Sequence, residues 1–487
     1  MTVVAALVLV LPVAAGTAIG GFGWRRATAW ASSLAAASVV GAGIALAVHV
    51  VNGHPVTTGR GFIRIDALSA FMVVVVGLVV LVATSYGASY MRTELELGHT
   101  DARGARTYGV LVQLFVTAML LAVVVDNLGV LWVAIEATTV TTAFLVGHHR
   151  TRASLEASWK YVVIGSVGVA LAFLGTVLVY FASRHAGGAD ASLSWMALVH
   201  TAPRLDAGVM RLAMGLLVLG YGTKMGLAPM HTWLPDAHSQ APAPVSALMS
   251  GVLLSVAFYA LLRYKVVADQ ALGPGFSQGL LVAGALLSLA VAASLLLAQR
   301  DYKRMLAYSS IEHMGLAALA AAIGTPLAIA AALLHVLGHG LAKAVTFCSS
   351  GDVSSLEGTT QVAGVRGLLA RRPLVGGVFG LGLVALLGLP PFSLFASELA
   401  IARAGVGTGL AWAVGVAFVL LFVIFASVVR LGQGMLLGEP VTPADPQRAG
   451  RLLAVPLVTG LAGVAALGVS IWPVERLLHA AAAVVAR

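Results

Sequence analysis

Charged side chains are scarce in this sequence. Asp, Glu, Lys and Arg make up 10% of the 487 residues, whereas hydrophobic residues make up 59%. A soluble domain carries about 25% charged residues, so the composition excludes a soluble protein. The uninterrupted apolar runs exceed the alternating strands of an outer-membrane barrel. The sequence therefore predicts an all-α polytopic membrane protein.

Cysteine and cofactor motifs are scarce as well. The single cysteine, Cys348, excludes an intramolecular disulfide and argues against a cysteine-ligated iron–sulfur cluster. The sequence contains no nucleotide-binding glycine loop, haem motif or zinc motif, so we predict no cofactor, no metal site and no catalytic residue. The net charge of +10 comes from basic residues spread over short loops. The positive-inside rule explains this pattern better than a nucleic-acid partner does.

Apolar segments recur along the whole chain, and about fourteen of them are long enough to span a bilayer. We place them at 3–20, 28–50, 66–88, 107–125, 127–147, 160–182, 206–224, 243–264, 277–298, 304–323, 326–348, 373–395, 408–430 and 452–473. The loops between them are too short for a soluble domain, so we expect a single membrane domain over residues 1–487. The distribution of Lys and Arg favours both termini outside the cytoplasm of a bacterial or archaeal-type plasma membrane.

Two of these segments carry a helix-breaking sequence beside a charge. In the seventh segment Lys224 is followed by MGLAPMHTWLP, and in the twelfth GLPPFSLFASE places Pro390 and Pro391 before Glu398. Irregular backbone is tolerated inside a membrane only where it lines a cavity or is buried in protein. The two breaks lie five segments apart. This spacing suggests two related helix bundles with charged sites at matching positions, as in inverted-repeat transporters.

Ionisable side chains within apolar segments are the main functional candidates, because a charge in hydrocarbon is costly and usually marks an ion pathway. Glu136 lies among threonines near the middle of the fifth segment, and Lys224 lies at the end of the seventh. The structural alternatives are a carboxylate satisfied by hydroxyls and a lysine that reaches the interface. His335, His339 and Lys343 are spaced at i, i+4 and i+8. They predict a polar stripe on one helix face, which is typical of a proton relay.

Glu398, beside the second break, completes the proton-transfer set. Weaker candidates are either polar groups at the first break or ionisable and hydroxyl groups elsewhere in the segments. These accessory candidates are Glu156, Lys160, His231, His238, Glu312 and Ser255. Glu156 and Lys160 are an i, i+4 pair near a membrane edge. A structural ion pair explains these two residues slightly better than a role in transport.

Several long motifs resemble the proton-antiporter-like membrane subunits of the complex I superfamily. They are WVAIEATTVTTAFLVGHHRTRASLEASWKY, GTKMGLAPMHTWLPDAHSQAPAPVSALMSGVLL, QRDYKRMLAYSSIEHMG and LLHVLGHGLAKAVTFCSSGDV, followed by GLPPFSLFASE. The similarity extends in order over roughly residues 60–430. The sequence is most similar to component F of the hydrogenase-4 and formate hydrogenlyase membrane arms. It also resembles the antiporter-like subunits of NADH-quinone oxidoreductase.

The resemblance implies fourteen transmembrane helices with broken helices in spans 7 and 12. It implies two inverted five-helix repeats at about 107–265 and 277–430, with N-terminal helices in 1–106 and a last helix and tail in 452–487. Ser255 departs from the family pattern, because it stands where some complex I subunits carry a bridging lysine. The residues that match the family's proton path are Glu136, Lys224, His335, His339, Lys343 and Glu398.

The motifs together predict a proton-translocating subunit of a redox-driven respiratory or hydrogenase-type complex, with the redox chemistry on partner chains. In this mechanism Glu136 and Lys224 form a switchable ion pair, and the proton then moves toward the second repeat and Glu398. The alternative is a membrane subunit of a sodium/proton antiporter or an inorganic-carbon uptake system. We expect other membrane-arm subunits and the lipid bilayer as partners, with protons or sodium as the transported ion.

Overall fold

The computed structural model describes residues 1–187, 192–437, 439 and 451–486. Residues 188–191 of the first expected repeat and Arg487 of the expected C-terminal segment lie outside this description. Within it, the chain forms twenty α-helices and one two-stranded antiparallel sheet. The strands, β1 Val56–Thr58 and β2 Ile63–Ile65, form a hairpin between the second and third helices.

The α-helices range in length from 4 to 36 residues. In chain order, the first ten are α1 Thr2–Phe22, α2 Arg26–Val50, α3 Ala67–Glu96, α4 Ala102–Val124, α5 Leu128–Val146, α6 Arg152–Gly187, α7 Trp195–Thr201, α8 Ala207–Met225, α9 Trp233–Gln240 and α10 Ala243–Leu248. The other ten are α11 Leu254–Leu272, α12 Pro274–Leu297, α13 Tyr302–Ile323, α14 Pro326–Glu357, α15 Leu368–Arg371, α16 Pro373–Leu386, α17 Ser393–Val406, α18 Ala411–Leu437, α19 Arg451–Val469 and α20 Trp472–Val485.

Eleven helical segments in the described part of the chain are long and apolar enough to cross a membrane, or twelve if α19 and α20, bent by 77°, are one span. The prediction of an all-α, multi-pass membrane protein is confirmed. The sequence predicts about fourteen spans, and the two segments outside this set are those with helix breaks. The seventh corresponds to α8, which carries Lys224 in its last turn. The twelfth is divided between α16 and α17, which have 14 residues each.

Four segments form the centre of the molecule. In α3, α13, α14 and the continuous segment α10–α11, between 89% and 100% of the apolar stretch is buried, against 33% in α1 and α18. The outer helices present large apolar side chains to the surroundings, as expected where lipid is the solvent. Polar groups on the central helices are therefore shielded from lipid by other parts of the same chain.

A π-helical turn at Met249–Leu253 joins α10 to α11, and α14 crosses the chain there. The crossing is close because Gly251 faces Gly340. A Cβ atom on Gly251 would lie 2.9 Å from the Gly340 carbonyl oxygen, and one on Gly340 would lie 2.8 Å from the Gly251 carbonyl oxygen. Small residues are common where membrane helices cross at short range. This contact holds α14, which carries the histidine and lysine stripe, against the middle of the chain.

Helix α8 ends immediately after Lys224. Gly226 adopts the left-handed conformation with φ of 79°, and the helical path resumes at Trp233. The indole nitrogen of Trp233 donates a hydrogen bond to the Thr223 carbonyl oxygen at 2.9 Å, so this carbonyl at the helix end is satisfied inside the protein. A second interruption separates α16 from α17 and contains Gly388, with φ of 62°. Lys224 thus lies at a helix C-terminus, where the helix dipole favours a positive charge.

Candidate functional site

Lys224 is completely buried, and its hydrogen-bond partner is a tyrosine. The Lys224 Nζ atom donates to Tyr161 Oη at 3.0 Å and lies 4.7 Å from the centre of the same ring. Tyr161, on α6, also shares a hydrogen bond of 2.5 Å with Thr142 Oγ1 on α5. Neutral hydroxyl groups and a ring face therefore hold the ammonium group. The sequence analysis missed Tyr161, because nothing in its local pattern separates it from other tyrosines in apolar segments.

Glu136 is half-buried on α5 and accepts a hydrogen bond from Thr139 Oγ1 at 3.1 Å. Among the described residues, no ion pair within 4.0 Å joins Glu136 to Lys224, so the ion pair expected from the sequence is not formed in this conformation. Gly165 on α6 lies between the two groups. A Cβ atom there would be 3.5 Å from Thr139 Cγ2 and 3.8 Å from Lys224 Nζ. Each charged group instead has a hydroxyl partner close by.

A cleft of about 990 Å³ leads to Glu136 between α4, α5 and α6. Its walls carry Thr139 and Ser166 near the glutamate, and Asp101 and His149 in the loops at the helix ends. The cleft joins the polar loops to a carboxylate inside an apolar segment. The half-buried side chain of Glu136 therefore lines a cleft that extends to the polar loops.

A cluster of histidines around Glu94 lies at the loop end of this cleft. The buried Glu94 carboxylate is 3.0 Å from His149 Nε2 and 3.4 Å from His99 Nδ1. Burial, and next the charge of His149, lower the pKa of His148 to about 4. His148 is thus neutral near pH 7. The sequence analysis did not single out these residues, because three separate loops and helix ends bring them together.

Three buried histidines of α13 and α14 are in mutual contact. The ring of His313 lies 5.1 Å from that of His335 and 5.0 Å from that of His339. His313 Nδ1 is 3.2 Å from His335 Nε2, and the other nitrogen of His335 is 3.0 Å from Ser397 Oγ on α17. Thus the stripe on α14 extends to His313, which the sequence marks only as a weak candidate through the adjacent pair Glu312-His313 in SSIEHMG.

Lys343, one turn beyond His339, is completely buried against α13. Its Nζ atom donates to the Leu306 carbonyl oxygen at 2.6 Å and also to Ser309 Oγ. Glu312 is also buried on α13, and its carboxylate interacts electrostatically with Lys343. Two neutral acceptors on one neighbouring helix therefore fix the position of the second buried lysine.

Glu398 lies at the second helix break. Its carboxylate packs against Gly388, so a side chain at position 388 would collide with it. One ligand atom each of Glu398, His313 and His335 lies within 4.8 Å of the other two. The sequence predicts no metal site, because the ligands of such a site are not neighbours in sequence. The fold brings these three groups together from α13, α14 and α17.

His238 occupies the region between the two halves of the chain. It lies on α9, which packs against both α6 and α13. The His238 ring is completely buried and stacks on Phe347 at a centroid distance of 5.0 Å. Neither ring nitrogen has a hydrogen-bond partner in the described part of the chain. The side chain interacts electrostatically with Lys343 and His339, so it approaches the second-half cluster from the first helix break.

Ser255 does not connect the two halves through its own side chain. Its hydroxyl group donates to the Gly251 carbonyl oxygen of the same helical segment at 3.5 Å. A nearby hydroxyl contact does cross to α13, where Ser250 Oγ and Ser310 Oγ are 2.7 Å apart. The polar connection between the halves thus involves α9 and the π-helical turn.

The i, i+4 pair Glu156–Lys160 is a partly exposed ion pair of 2.7 Å. Asp236 on α9 lies 3.1 Å from the same lysine and also pairs with Arg304 on α13. This network ties α9 to its two neighbours at the periphery, and partly exposed pairs contribute little stability. His231, in the irregular segment before α9, is half-buried, and its Nδ1 atom has no partner among the described residues.

The amino-acid sequence matches a known membrane family. The family model described as "NADH:quinone oxidoreductase/Mrp antiporter, TM" matches residues 125–425. The chain belongs to this family. A curated relative of this antiporter-like subunit is the "Hydrogenase-4 component F homolog" of Methylacidiphilum infernorum (isolate V4), with 37% identity over 86% of this chain and 88% of the relative. The resemblance stated from the sequence motifs is confirmed.

Two solved structures show the same fold. A chain of the Mrp complex from Dietzia sp. DQ12-45-1b superposes with a TM-score of 0.86 at 22% identity, covering 100% of this antiporter-like chain and 98% of the other. A chain of respiratory complex I from Thermus thermophilus, solved with bound aureothin, gives a TM-score of 0.75 at 27% identity, covering 98% and 99%.

Proposed function

We propose that this antiporter-like subunit translocates protons as part of a redox-driven respiratory or hydrogenase-type membrane complex. The observation that carries the proposal is a set of ionisable side chains inside apolar segments. Lys224, His238, His339 and His335 are buried, and the half-buried Glu398 lies beside His335. Ionisable groups inside a membrane are costly and usually line ion pathways. The similarity to the hydrogenase-4 component F homolog supports the hydrogenase-type assignment.

In the first half, a proton reaches Glu136 through the cleft between α4, α5 and α6. Lys224 alternates between its hydroxyl partner Tyr161 and an ion pair with Glu136. The position of Gly165 supports this exchange, because a Cβ atom there would lie 3.8 Å from Lys224 Nζ and 3.5 Å from Cγ2 of Thr139, which donates to the glutamate. When Lys224 leaves Glu136, its ammonium group loses a stabilising charge and gives its proton to the second half.

In the second half, the proton moves from His238 to the three-histidine cluster and leaves through Glu398. Histidine is suited to this role because either ring nitrogen can accept or release a proton close to neutral pH. Lys343 supplies a positive charge at one end of the cluster. The ring separations of 5.0 and 5.1 Å support stepwise transfer among His313, His335 and His339.

We further propose that fourteen spans are completed by α8 with α9 and by α16 with α17 as broken helices. These breaks would occupy matching places in inverted repeats at about 107–265 and 277–430, with both termini outside the cytoplasm. Other membrane subunits would be the partners, since the structural neighbours belong to multisubunit complexes. The redox cofactors would lie on those partners.

The experiment is a Lys224→Met variant in the native complex, with proton uptake measured in inverted membrane vesicles by the quenching of a pH-sensitive dye. Respiration on hydrogen or NADH drives the uptake. We expect at least about a tenfold loss of uptake, because the buried charge is removed at nearly constant side-chain size, while native gels show an assembled complex. Lys160→Met in the peripheral network is the matched control and should retain uptake. Full uptake in Lys224→Met would overturn the mechanism.

The second candidate is a subunit of an ion-coupled transporter, because the matched family includes Mrp antiporters. Purification of the native complex distinguishes the two. Hydrogenase or quinone-reductase chains support the first proposal. Antiporter partners with sodium-dependent transport, or a carbonic-anhydrase-like partner, support the second.

A further inference from the structure

Three ligand-bearing side chains meet beside the second helix break. His313, His335 and Glu398 come from three different helices, and one ligand atom of each lies within 4.8 Å of the other two. His313 Nδ1 and His335 Nε2 are 3.2 Å apart. Two nitrogen ligands on a tetrahedral metal ion with bonds near 2.0 Å are separated by about 3.3 Å. The spacing of the two imidazoles therefore already suits a shared ion.

The hydrogen bonds of Ser397 fix the tautomer of His335. The Ser397 hydroxyl donates to the Leu394 carbonyl oxygen at 2.8 Å, so its oxygen is free only to accept. His335 Nδ1, at 3.0 Å, must then carry the proton and donate it to this oxygen. His335 Nε2 is left with a lone pair that faces His313. Metal-ligating histidines commonly donate their other ring N–H to a hydrogen-bond acceptor, and the Ser397 oxygen is that acceptor here.

His313 is not satisfied by this histidine pair alone. If its proton is on Nδ1, the lone pair of Nε2 is buried without a donor among the described residues. If its proton is on Nε2, two lone pairs oppose each other at 3.2 Å. A cation between His313 Nδ1 and His335 Nε2 removes this lone-pair repulsion, with the proton of His313 on Nε2, and the Glu398 carboxylate supplies compensating negative charge.

We propose that His313, His335 and Glu398 form a binding site for a borderline divalent cation of the Zn²⁺ type. Two imidazoles and one carboxylate are an established zinc ligand set that leaves a fourth position open. Within the site, His313 and His335 are fully buried, whereas Glu398 on α17 is half-buried. Because all three ligands also belong to the proposed proton path, the bound ion blocks transfer to Glu398. This blocking effect rests on the proposed function, whereas binding does not.

Binding is tested on the full-length chain in nanodiscs with Co²⁺ as the spectroscopic probe and Zn²⁺ as the competitor. We expect one Co²⁺ per chain, with visible absorption bands of a four-coordinate ion that Zn²⁺ removes. His313→Ala and Glu398→Gln should weaken binding by at least about 100-fold, and Ser397→Ala by about tenfold, since it removes an orienting partner. His231→Ala, a histidine outside the cluster, should bind Co²⁺ normally. Unchanged binding in His313→Ala, or no bands in the natural protein, would overturn the site.

A gain-of-signal variant guards against loss of folding. In His313→Cys the thiolate replaces one imidazole, and Cd²⁺ should produce a new sulfur-to-metal charge-transfer band, measured against the natural chain with its own Cys348. A folded variant without that band contradicts the proposed ligand. Zn²⁺ is then added to respiring vesicles. If Zn²⁺ abolishes proton uptake and a chelator restores it, the block is supported. If Zn²⁺ binds but uptake is unchanged, the binding site stands and the proton route through it is overturned.

Discussion

Two buried lysines mark the two halves of this molecule, and their surroundings differ. Lys224 is held by a tyrosine hydroxyl, close to a large cleft that reaches Glu136. Lys343 is enclosed between α13 and α14, held by a backbone carbonyl and a serine, and lies one turn from a histidine cluster. The first half thus combines a half-buried carboxylate beside a cleft with a fully buried lysine that has a hydroxyl partner. The second half is closed and offers a chain of neighbouring proton carriers.

The largest effect is expected where the two halves touch, at the contact between Gly251 and Gly340. Gly340→Leu forces a side chain into the Gly251 backbone, which leaves no room even for a Cβ atom. Overpacking of this kind typically costs about 1 to 3 kcal/mol or more, and we expect little assembled protein. The measurement is the yield and thermal unfolding midpoint of the purified chain. Gly279→Leu is the matched control, because no atom lies within 4 Å of its Cβ position. Equal stability of the two variants would contradict the close crossing.

The mobility attributed to Lys224 is tested at Gly165. In Gly165→Val the added methyl groups occupy the space between Thr139 and Lys224, whereas the protein interior otherwise stays the same. We expect a severalfold loss of proton uptake in vesicles with normal assembly, because the lysine can no longer approach Glu136. Gly215→Val, whose Cβ position is open, should leave uptake unchanged. Normal uptake in Gly165→Val would remove the partner exchange from the mechanism.

Variants of His238 and Ser255 test which of the two residues connects the halves. His238→Ala deletes a buried, unpartnered imidazole beside the second-half cluster, and proton uptake should fall severalfold. Ser255→Ala removes a hydroxyl that bonds only within its own helical segment, so uptake should stay within about twofold of the natural protein. The reverse ranking in the same vesicle assay would place the connection on α11 instead of α9.

The smallest effect concerns the histidines at the loop end of the cleft. Burial lowers the pKa of His148 from 6.5 to about 4, so the folded state holds this group neutral while the unfolded chain takes up a proton below pH 6.5. Its contribution to stability is complete above pH 6.5 and is lost as the pH falls toward 4. We expect His148→Gln to flatten the decline of the unfolding midpoint over this interval by a few degrees. An identical pH profile would show that His148 is not the titrating group.

The sequence predicts a large part of this architecture. Long apolar runs predict the membrane helices, because the bilayer leaves the chain few other solutions. Lys224, Lys343, His335 and His339 are found buried, as the cost of isolated charges in lipid requires. The helix interruptions after Lys224 and before Glu398 follow the prolines in the sequence.

The contacts that assemble the site could not be predicted in this way. Tyr161 acquires its role from helices that are distant in sequence, so local periodicity carries no sign of it. His238 is an accessory candidate from the sequence, but its approach to the second-half cluster depends on the fold. The ion pair expected between Glu136 and Lys224 is absent from this conformation because hydroxyl groups, which are common in membrane helices, lie closer. Three metal-compatible ligands from three helices likewise leave no sequence motif.

The contact between Gly251 and Gly340 also limits how the protein can work. Where two backbones touch, one helix bundle cannot rock against the other without losing the contact or forcing the carbonyl groups together. Transporters that expose a site alternately to each side of the membrane depend on such rocking. A rocking motion of this kind would have to break the contact between Gly251 and Gly340. Charge transfer through side chains, as we propose, leaves that contact intact.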